Sequence, residues 1–291
     1  HRPVNGNNRF ISGGFMKVDY HMHTLCSDGI YEVEAVVDKA VNCGILAMAV
    51  TDHDTVSGID RARQRCLGRI RYVTGTEITC AEHLWGSVPT SQSIHLLGYG
   101  FDETDPLLCA LLSARKERTE AVYLELAEAV TASGYPIRIP DVPMSCGNVL
   151  QLRDVMAHVR AAYPAVSEEA AELVDSYAKA LTEANITVED GIAAIHHAGG
   201  KAVWAHPYNC YHHFQKQSLH AQEVSIMLKE LALLGIDGIE TEYPAFSDSE
   251  KSFLNGLAAE YGLFTTAGSD FHGSENRNHM GMETDQNSFL L

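Results

Sequence analysis

The stretch KVDYHMHT, residues 17–24, places two histidines directly after a short candidate strand. Side chains alternate across a strand, so His21 and His23 point the same way and could both reach one ion at the strand's carboxyl end. A single His-x-His pair is weak evidence, because histidine pairs also occur as surface or packed residues. The chain beyond residue 24 adds weight, because further ligand-type residues follow further candidate strands.

An alternation of helices and strands follows this stretch. The pattern predicts helices at 33–43, ended by Gly44, and from a Ser57 cap to about Leu67, with strands at 46–51, 71–78 and 94–98. Later in the chain it predicts helices at 188–198, 222–234 and 248–261, and strands at 202–205, 238–241 and 264–267. Such alternation is typical of βα units around a parallel sheet or barrel.

The segment between these two halves differs in composition. From 106 to 185 the chain is rich in Ala, Leu and Glu at helical spacing, with one long helix predicted at 107–133. The expected fold class is therefore α/β, with a helical insertion interrupting a barrel. We expect four parts: a tail or tag remnant at 1–16, the first part of the barrel at 17–105, the insertion at 106–185 and the second part of the barrel at 186–291.

The composition is that of an acidic protein. The 291 residues include 38 Asp and Glu against 21 Lys and Arg, a formal charge of −17. This charge argues against a broad basic surface for duplex nucleic acid, but not against a small phosphorylated substrate in a focused cleft. No apolar run approaches the ~20 residues that span a membrane, and the seven cysteines contain no C-x-x-C pair. We expect a cytoplasmic protein with reduced thiols and no membrane partner, as a monomer or weak oligomer.

Ligand-type residues follow nearly every candidate strand. Beyond His21 and His23, they are Asp52, His53, Glu77, His95, His206, Asp270 and His272. The carboxyl ends of the strands form the active face of α/β barrels, so this placement predicts one shared site. Mixed His, Asp and Glu ligation without Cys suits Zn, Mn or Fe(II), and such sites leave a position open for a water molecule.

The ordered motifs resemble a known family, the PHP (polymerase and histidinol phosphatase) superfamily. They are His21-Met22-His23-Thr24 with Ser27-Asp28-Gly29, Thr51-Asp52-His53-Asp54, Gly75-Thr76-Glu77, His95-Leu96-Leu97-Gly98-Tyr99, Ala205-His206-Pro207 and Gly268-Ser269-Asp270-Phe271-His272-Gly273. The resemblance extends from Lys17 to Gly273. The most similar branch has a helical insertion and includes 3′,5′-nucleoside bisphosphate phosphatases and 5′→3′ exonucleases.

This resemblance implies a distorted seven-stranded (β/α) barrel and a site for two to three divalent ions (Mn, Fe or Zn). Carried over by motif, one metal takes His21, His23, Glu77 and Asp270, a second takes Glu77, His95 and His206, and a third takes Asp28, His53 and His272. Glu77 bridges the first two. Asp28 stands where some members have histidine, and the similar branch also uses aspartate.

The resemblance also implies a reaction. A metal-bridging hydroxide at Glu77 attacks the phosphorus of a phosphate monoester or a terminal phosphodiester in line, while the ions neutralise the growing charge. Expected substrates are AMP, a 3′,5′-nucleoside bisphosphate or an oligonucleotide 5′ end, with short single-stranded nucleic acid included. The residue that protonates the leaving group is not identified by any motif.

Arg115 and Arg118 lie three apart on one face of the predicted long helix. They either clamp a substrate phosphate, since guanidinium binds phosphate bidentately, or belong to a solvated charged face. Composition alone favours the solvated face. Arginines at this point of the insertion in the similar branch favour the clamp, which is the interpretation we adopt.

Several other polar residues keep two interpretations. Glu240 and Glu242 either orient a ligand histidine or are ordinary loop carboxylates, and Asp54 either supports His53 or caps a turn. Six histidines are expected to lie outside the site, although the 212–213 pair could line the cleft: His196, His197, His212, His213, His220 and His279.

Two other functions use similar ligands. A metal-dependent amidohydrolase carries a bridging lysine on a barrel strand, whereas Lys201 precedes its predicted strand. A non-catalytic PHP module of the kind fused to polymerases loses ligands, whereas all nine ligand types are present here. The phosphoesterase interpretation is therefore preferred.

Overall fold

The computed structural model describes residues 16–284, so the predicted tail at 1–16 lies almost wholly outside the described residues. Ten strands are assigned within the described chain: β1 (Met16–Asp19), β2 (Ala47–Val50), β3 (Arg71–Thr79), β4 (His95–Tyr99), β5 (Lys201–Trp204), β6 (Asn209–His212), β7 (Gln215–Ser218), β8 (Gly238–Glu242), β9 (Phe264–Ala267) and β10 (Met282–Thr284). The α-helices of the same range are α1 (Val33–Asn42), α2 (Ile59–Cys66), α3 (Pro106–Ala132), α4 (Leu152–Ala162), α5 (Ser167–Asp175), α6 (Ala178–Glu183), α7 (Val188–His197), α8 (Ala221–Leu234) and α9 (Asp248–Tyr261).

Eight of the strands form one sheet, in the order β10-β1-β2-β3-β4-β5-β8-β9. The sheet closes between β1 and β9, where the Tyr20 N–H donates to the Ala267 carbonyl at 3.0 Å and Met22 forms a β-bridge with Phe271. The expected α/β barrel is therefore present. It has one strand more than the expected seven, because β10, from the segment after Gly273, pairs antiparallel with β1.

Strand β4 runs against both of its neighbours, β3 and β5. The expectation of parallel pairing throughout is corrected here. The reversal has a direct consequence for the site, because the first residue of β4 lies at the same end of the barrel as the last residues of the parallel strands. His95, the first residue of β4, therefore reaches the face that the other predicted ligands share.

The helical insertion packs through α3, whose 27 residues serve two hydrophobic cores. Near its start, Leu108 and Leu112 are buried in the main barrel cluster. Further along, Tyr123, Leu126 and Val130 are buried with α4 and α5 in a separate cluster. The Asp105 carboxylate caps the helix by accepting from two backbone N–H groups at 3.0 Å. One continuous helix therefore ties the insertion to the barrel.

Two local predictions need correction. Helix α2 begins after Gly58, with no side-chain cap, so Ser57 is not the expected capping residue; its hydroxyl instead accepts from the Thr55 hydroxyl at 3.1 Å. The hairpin of β6 and β7 was not predicted at all, since its polar sequence lacks an apolar alternation. No helix in the described range is long and apolar enough to cross a membrane.

Candidate metal centre

The structure brings all nine predicted ligands to one end of the barrel. His21 and His23 follow β1, His53 follows β2, His206 follows β5, and Asp270 and His272 follow β9. Glu77 lies within β3, and Asp28 is on the loop after β1. With His95 at the start of β4, residues from six separate chain segments thus meet at one end of the barrel, as the positions at strand ends predicted.

Glu77 lies at the centre of this group and is almost fully buried. Its Oε2 lies 3.1 Å from Nε2 of both His21 and His23, and 3.4 Å from Nε2 of His53. Its Oε1 lies 2.9 Å from His95 Nδ1 and 3.2 Å from His206 Nε2. One carboxylate therefore faces five imidazoles, which is the geometry expected of a ligand shared between ions.

Several of these buried atoms have no hydrogen-bond partner. They are His21 Nε2, both ring nitrogens of His23, Asp28 Oδ1 and Glu77 Oε2. A buried polar atom without a partner costs about 1–3 kcal/mol, so native proteins rarely keep one. Imidazole nitrogens and carboxylate oxygens that converge on a common space share one kind of partner, a cation. The residues present therefore fit divalent metal ions.

The ligand atoms fall into three overlapping groups whose members lie within 4.8 Å of one another. The groups are His21, His23, Glu77 and Asp270; His23, Asp28, His53 and His272; and His53, Glu77 and His95. The first matches the expected set, while the second adds His23 and the third contains His53. His206 approaches the cluster through Glu77, and its Nδ1 is engaged by the Asn209 carbonyl at 3.0 Å. Its Nε2 is thereby left facing the site.

The charges in the cluster are strongly coupled. Burial alone would raise the pKa of Glu77, but the electrostatic influence of the neighbouring His21, His53 and His95 imidazoles outweighs it and holds that pKa well below its ordinary value. Burial lowers the pKa of His53 to about 3. Burial also lowers the pKa of His23, but the Asp270 and Glu77 carboxylates beside its ring outweigh it and raise that pKa to about 10. The buried carboxylates therefore stay ionised and need positive charge beside them.

Glu240 supports two of the predicted ligands. It is fully buried, and its two oxygens take a His21 Nδ1 contact at 3.0 Å and the His206 backbone N–H at 2.8 Å. Glu242 instead pairs with Lys251 at 2.9 Å. A register shift between the two glutamates breaks the strand alternation that would otherwise place both side chains on one side of the sheet. Of the two interpretations left open, Glu240 orients ligands and Glu242 does not.

Two buried aspartates, Asp52 and Asp19, hold the loops that carry the ligands. The motifs did not indicate this supporting role. Asp52 accepts from the Thr24 N–H at 2.7 Å and the Ser27 hydroxyl at 2.6 Å, next to Asp28. Asp19 accepts from the N–H and hydroxyl of Ser269, next to Asp270. Asp52 adjoins His53 in sequence, and alternation alone could have indicated that it faces away from the site. Nothing in the local sequence marked Asp19.

A cavity of about 1630 Å³ opens over the ligands between the barrel and the insertion, and Arg115 lines it. The guanidinium of Arg115 lies 3.2 Å from Asp54 Oδ2 and 3.0 Å from Asn185 Oδ1. Arg118 does not line the cavity, because its guanidinium donates to the Ala184 carbonyl at 3.0 Å. The structure therefore separates the two predicted clamp residues, since Arg115 lies on the wall of the cavity over the ligands and Arg118 does not. Asp54 holds Arg115 and accepts the Thr79 N–H rather than supporting His53.

Arg277 is a cavity residue that the sequence analysis missed. Its guanidinium lies 3.1 Å from His272 Nε2 and 3.3 Å from Asp270 Oδ2. Burial lowers the pKa of Arg277, but Asp270 and other nearby groups outweigh it and raise that pKa above its ordinary value. The residue follows the last family motif and belongs to no recognisable pattern, so no sequence signal indicated it. It adds a fixed positive charge at the edge of the ligand cluster.

The histidines expected to lie outside the site make other contacts. His196 pairs with Asp237 at 2.6 Å, and His197 pairs with Asp105 at 2.9 Å. His212 and His213 contact Glu82 rather than the ligand cluster. His279 contacts the Gly281 carbonyl. The cavity lining includes none of these side chains.

The PHP domain family model matches residues 19–190, more than half of the chain. The chain belongs to the PHP family. The match confirms the resemblance to this family that the six motifs indicated. It is also consistent with the meeting of the predicted ligands at one end of the barrel. The PHP match begins at β1 and extends through the insertion into α7.

The names of three curated relatives of this PHP chain describe enzymes that act on phosphoester bonds. The 5′-3′ exoribonuclease Rnm of Escherichia coli is 29% identical over 87% of this chain and 84% of its own length. A phosphoribosyl 1,2-cyclic phosphate 1,2-diphosphodiesterase of Eggerthella lenta is 27% identical over 89% and 95%. A 3′,5′-nucleoside bisphosphate phosphatase of Chromobacterium violaceum is 26% identical over 88% and 87%. The prediction of a phosphoester hydrolase is confirmed at the level of the reaction class.

A solved structure shares the architecture. A Bifidobacterium adolescentis protein, a predicted metal-dependent phosphoesterase, superposes with a TM-score of 0.68 at 25% identity, covering 92% of each chain. The coverage includes the insertion as well as the barrel, so the PHP barrel with its insertion is a shared fold.

Proposed function

We propose that this PHP protein is a metal-dependent phosphoesterase that removes phosphate from, or cleaves the terminal phosphodiester of, a nucleotide or oligonucleotide end. The observation that carries the proposal is the set of unpaired imidazole and carboxylate atoms around Glu77, with Arg115 and Arg277 in the same cavity. Metal ligands beside fixed guanidinium groups suit a substrate that carries several negative oxygens.

Three divalent ions are proposed, one for each group of ligand atoms, with Mn, Fe or Zn as candidates. The three overlapping groups support this number. Glu77 belongs to the first and third groups and His23 to the first and second, so adjacent ions share a ligand. When bound, the ions supply Lewis acidity to the phosphoryl oxygens and lower the pKa of a coordinated water molecule.

The protein's own residues have separable tasks. Arg277, beside Asp270 and His272, is positioned to contact an oxygen of the reacting phosphate. Arg115 is positioned for a more distant phosphate, since it is held by Asp54 and Asn185 on the insertion side. Glu240 keeps His21 and the His206 backbone in place, so the ligands do not reorganise during the reaction.

The cavity supports a nucleotide substrate of some size. Its volume of about 1630 Å³ exceeds the roughly 300–1,000 Å³ of ordinary small-molecule pockets. A 3′,5′-nucleoside bisphosphate fits within it, and so does the 5′ end of a short oligonucleotide. The names of the exoribonuclease and bisphosphate phosphatase relatives support the same two substrates.

The amidohydrolase alternative is less well supported. Such enzymes use a lysine to bridge their metals, whereas Lys201 lies at the start of β5, half exposed, and pairs with Asp237 at 2.7 Å. The start of a parallel strand is the end of the barrel opposite to the ligands. The non-catalytic alternative is also less well supported, because all nine ligands are retained.

The proposal is tested by metal analysis and a substrate screen on the same preparation. We expect bound Mn, Fe or Zn, and turnover of adenosine 3′,5′-bisphosphate or of 5′-phosphorylated oligonucleotides of two to five residues. His53→Ala and Asp270→Asn should abolish turnover, whereas the control His196→Ala, whose imidazole pairs with Asp237, should retain it. Full activity of His53→Ala with Mn, or no turnover of any phosphoester by the metal-loaded protein, would contradict the proposal.

A further inference from the structure

The hairpin of β6 and β7 ends in an unusual turn. His212 pairs with Gln215, so its loop is the two residues His213 and Phe214. Both have positive φ, 46° and 63°, as a type I′ turn requires, and such turns strongly prefer Asn-Gly or Gly-Gly. A phenylalanine in this left-handed region is an outlier. Residues in such conformations cluster at functional sites, where a side chain is needed at a fixed place.

The turn is held in this conformation by polar contacts to His213. Glu82 Oε1 accepts the His213 N–H and lies 2.8 Å from its Nδ1, while Glu82 Oε2 accepts from the Ser91 hydroxyl at 2.6 Å. Phe214 takes no part in this network. The residue is 46% exposed and lines the cavity over the metal ligands. The conformation of Phe214 is therefore imposed by its neighbours, and its side chain is free for another task.

The hairpin is also fixed relative to the ligands. Tyr211 exchanges backbone hydrogen bonds of 2.7 and 3.0 Å with Ser93, two residues before His95. The Tyr211 ring stacks on the His95 ring, with centroids 5.1 Å apart and planes 17° apart. At the other end of β6, the Asn209 carbonyl contacts His206 Nδ1. The hairpin thus acts as a rigid arm that sets the position of Phe214 with respect to two ligands.

The wall of the cavity combines charged side chains with exposed apolar ones. Leu124 and Met144 of the insertion also line the cavity, and they are 60% and 47% exposed. The cavity therefore offers the metal ligands with Arg115 and Arg277 to a phosphate group, and exposed apolar side chains, Phe214 among them, to another part of the same molecule. A molecule with phosphate at one end and an apolar planar group at the other matches both.

Resting on the proposed function, we propose that Phe214 is a stacking platform for a nucleobase of the substrate whose phosphate lies at the metal ligands. Stacking on an aromatic ring tolerates every base, since each base has a π face. The platform would therefore select substrates that carry a base over phosphate esters that lack one, without selecting the base. Phe214 is a specificity-determining residue in this proposal and takes no part in the chemical step.

The test compares two substrates on the metal-loaded enzyme, a 5′-phosphorylated dinucleotide and the same molecule with abasic tetrahydrofuran residues. Base stacking strengthens binding by roughly 5- to 150-fold. We expect the wild type to have a KM at least about 5-fold lower for the dinucleotide, and Phe214→Ala to bring the two KM values together. Phe214→Trp should keep the difference, as should the control Leu233→Ala, an exposed leucine outside the cavity. An unchanged KM ratio in Phe214→Ala would overturn the proposal.

A second variant separates stacking from a structural role. Phe214→Gly suits the positive φ of this position, so we expect its thermal midpoint to equal or exceed that of the wild type while the base preference is lost. A glycine variant that retains the base preference would overturn the proposal. Calorimetric titration of both molecules onto the protein gives the same comparison as Kd values. If neither molecule is hydrolysed, the proposed function fails, and the Kd ratio still decides on Phe214.

Discussion

Replacing Glu240 by Gln tests how the ligand cluster is held in place. The carboxylate is fully buried and contacts His21 Nδ1 at 3.0 Å with one oxygen, while the other accepts the His206 N–H at 2.8 Å. Glutamine has nearly the same shape but offers only one oxygen. If the oxygen faces one of these donors, the amide NH₂ must face the other. One of the two buried contacts is therefore lost, and His21 loses the negative charge that fixes its tautomer.

The size of the effect follows from these contacts. A hydrogen bond to a charged group contributes about 1.5–3 kcal/mol, and leaving a buried donor unpaired has a similar cost. A loss of about 1.4–2.7 kcal/mol corresponds to a metal affinity 10- to 100-fold weaker, as found when supporting carboxylates are removed from metal sites. We expect this loss for the ion that His21 binds, with kcat falling in parallel at limiting metal.

The measurement is a titration of Mn²⁺ into metal-free protein. Binding is monitored by calorimetry, and phosphoesterase activity is measured at each Mn²⁺ concentration. Glu242→Gln is the matched control, since it lies two residues along the same strand, pairs with Lys251 and is 22% exposed. We expect its metal affinity to equal that of the wild type. Equal affinities for Glu240→Gln and Glu242→Gln, in proteins with unchanged circular dichroism, would refute the supporting role of Glu240.

Three further outcomes are expected. Arg115→Ala should raise KM for a 3′,5′-bisphosphate roughly 10-fold or more, because a charge-assisted contact is lost, with no change for a simple aryl phosphate; Arg118→Ala should change neither, and equal effects of Arg115→Ala on both substrates would contradict a phosphate contact. Asp52→Asn should lower the free energy of unfolding by about 1–3 kcal/mol and weaken metal binding at Asp28, because the loop from Thr24 loses its anchor; denaturant unfolding and metal counts that match the wild type would contradict this. Chelation should lower the thermal midpoint, since each ion present at 100 times its Kd stabilises by about 2.7 kcal/mol; a midpoint unaffected by chelator and by added Mn²⁺ would argue against ligand-bound ions in the folded state.

Much of the site could be predicted because its residues follow a regular rule. Apolar strands with ligand-type residues at their carboxyl ends must bring those residues to one face of a barrel, as they do for His53 and His206. His95 obeys the rule in an inverted form, since it begins an antiparallel strand. The direction of β4 depends on the connections around it, and no local pattern indicates it.

The residues that were missed act through contacts across long sequence separations. Asp19 anchors Ser269, 250 positions later, and Arg277 reaches the cluster from a segment without motif or apolar periodicity. The β6–β7 hairpin carries polar residues on both faces and a His-Phe turn, so neither strand alternation nor turn composition indicated it. Glu240 and Glu242 looked equivalent until the register shift separated them.

The most direct test of the central claim concerns Glu77, the carboxylate that faces five imidazoles. Elemental analysis of purified wild type and Glu77→Gln, loaded with Mn²⁺ under the same conditions, counts the ions that each protein retains. We predict that the variant loses at least two ions per chain and all phosphoesterase activity, because Glu77 belongs to two ligand groups. A Glu77→Gln protein that keeps the full metal content and turns over substrate at the wild-type rate would contradict the account.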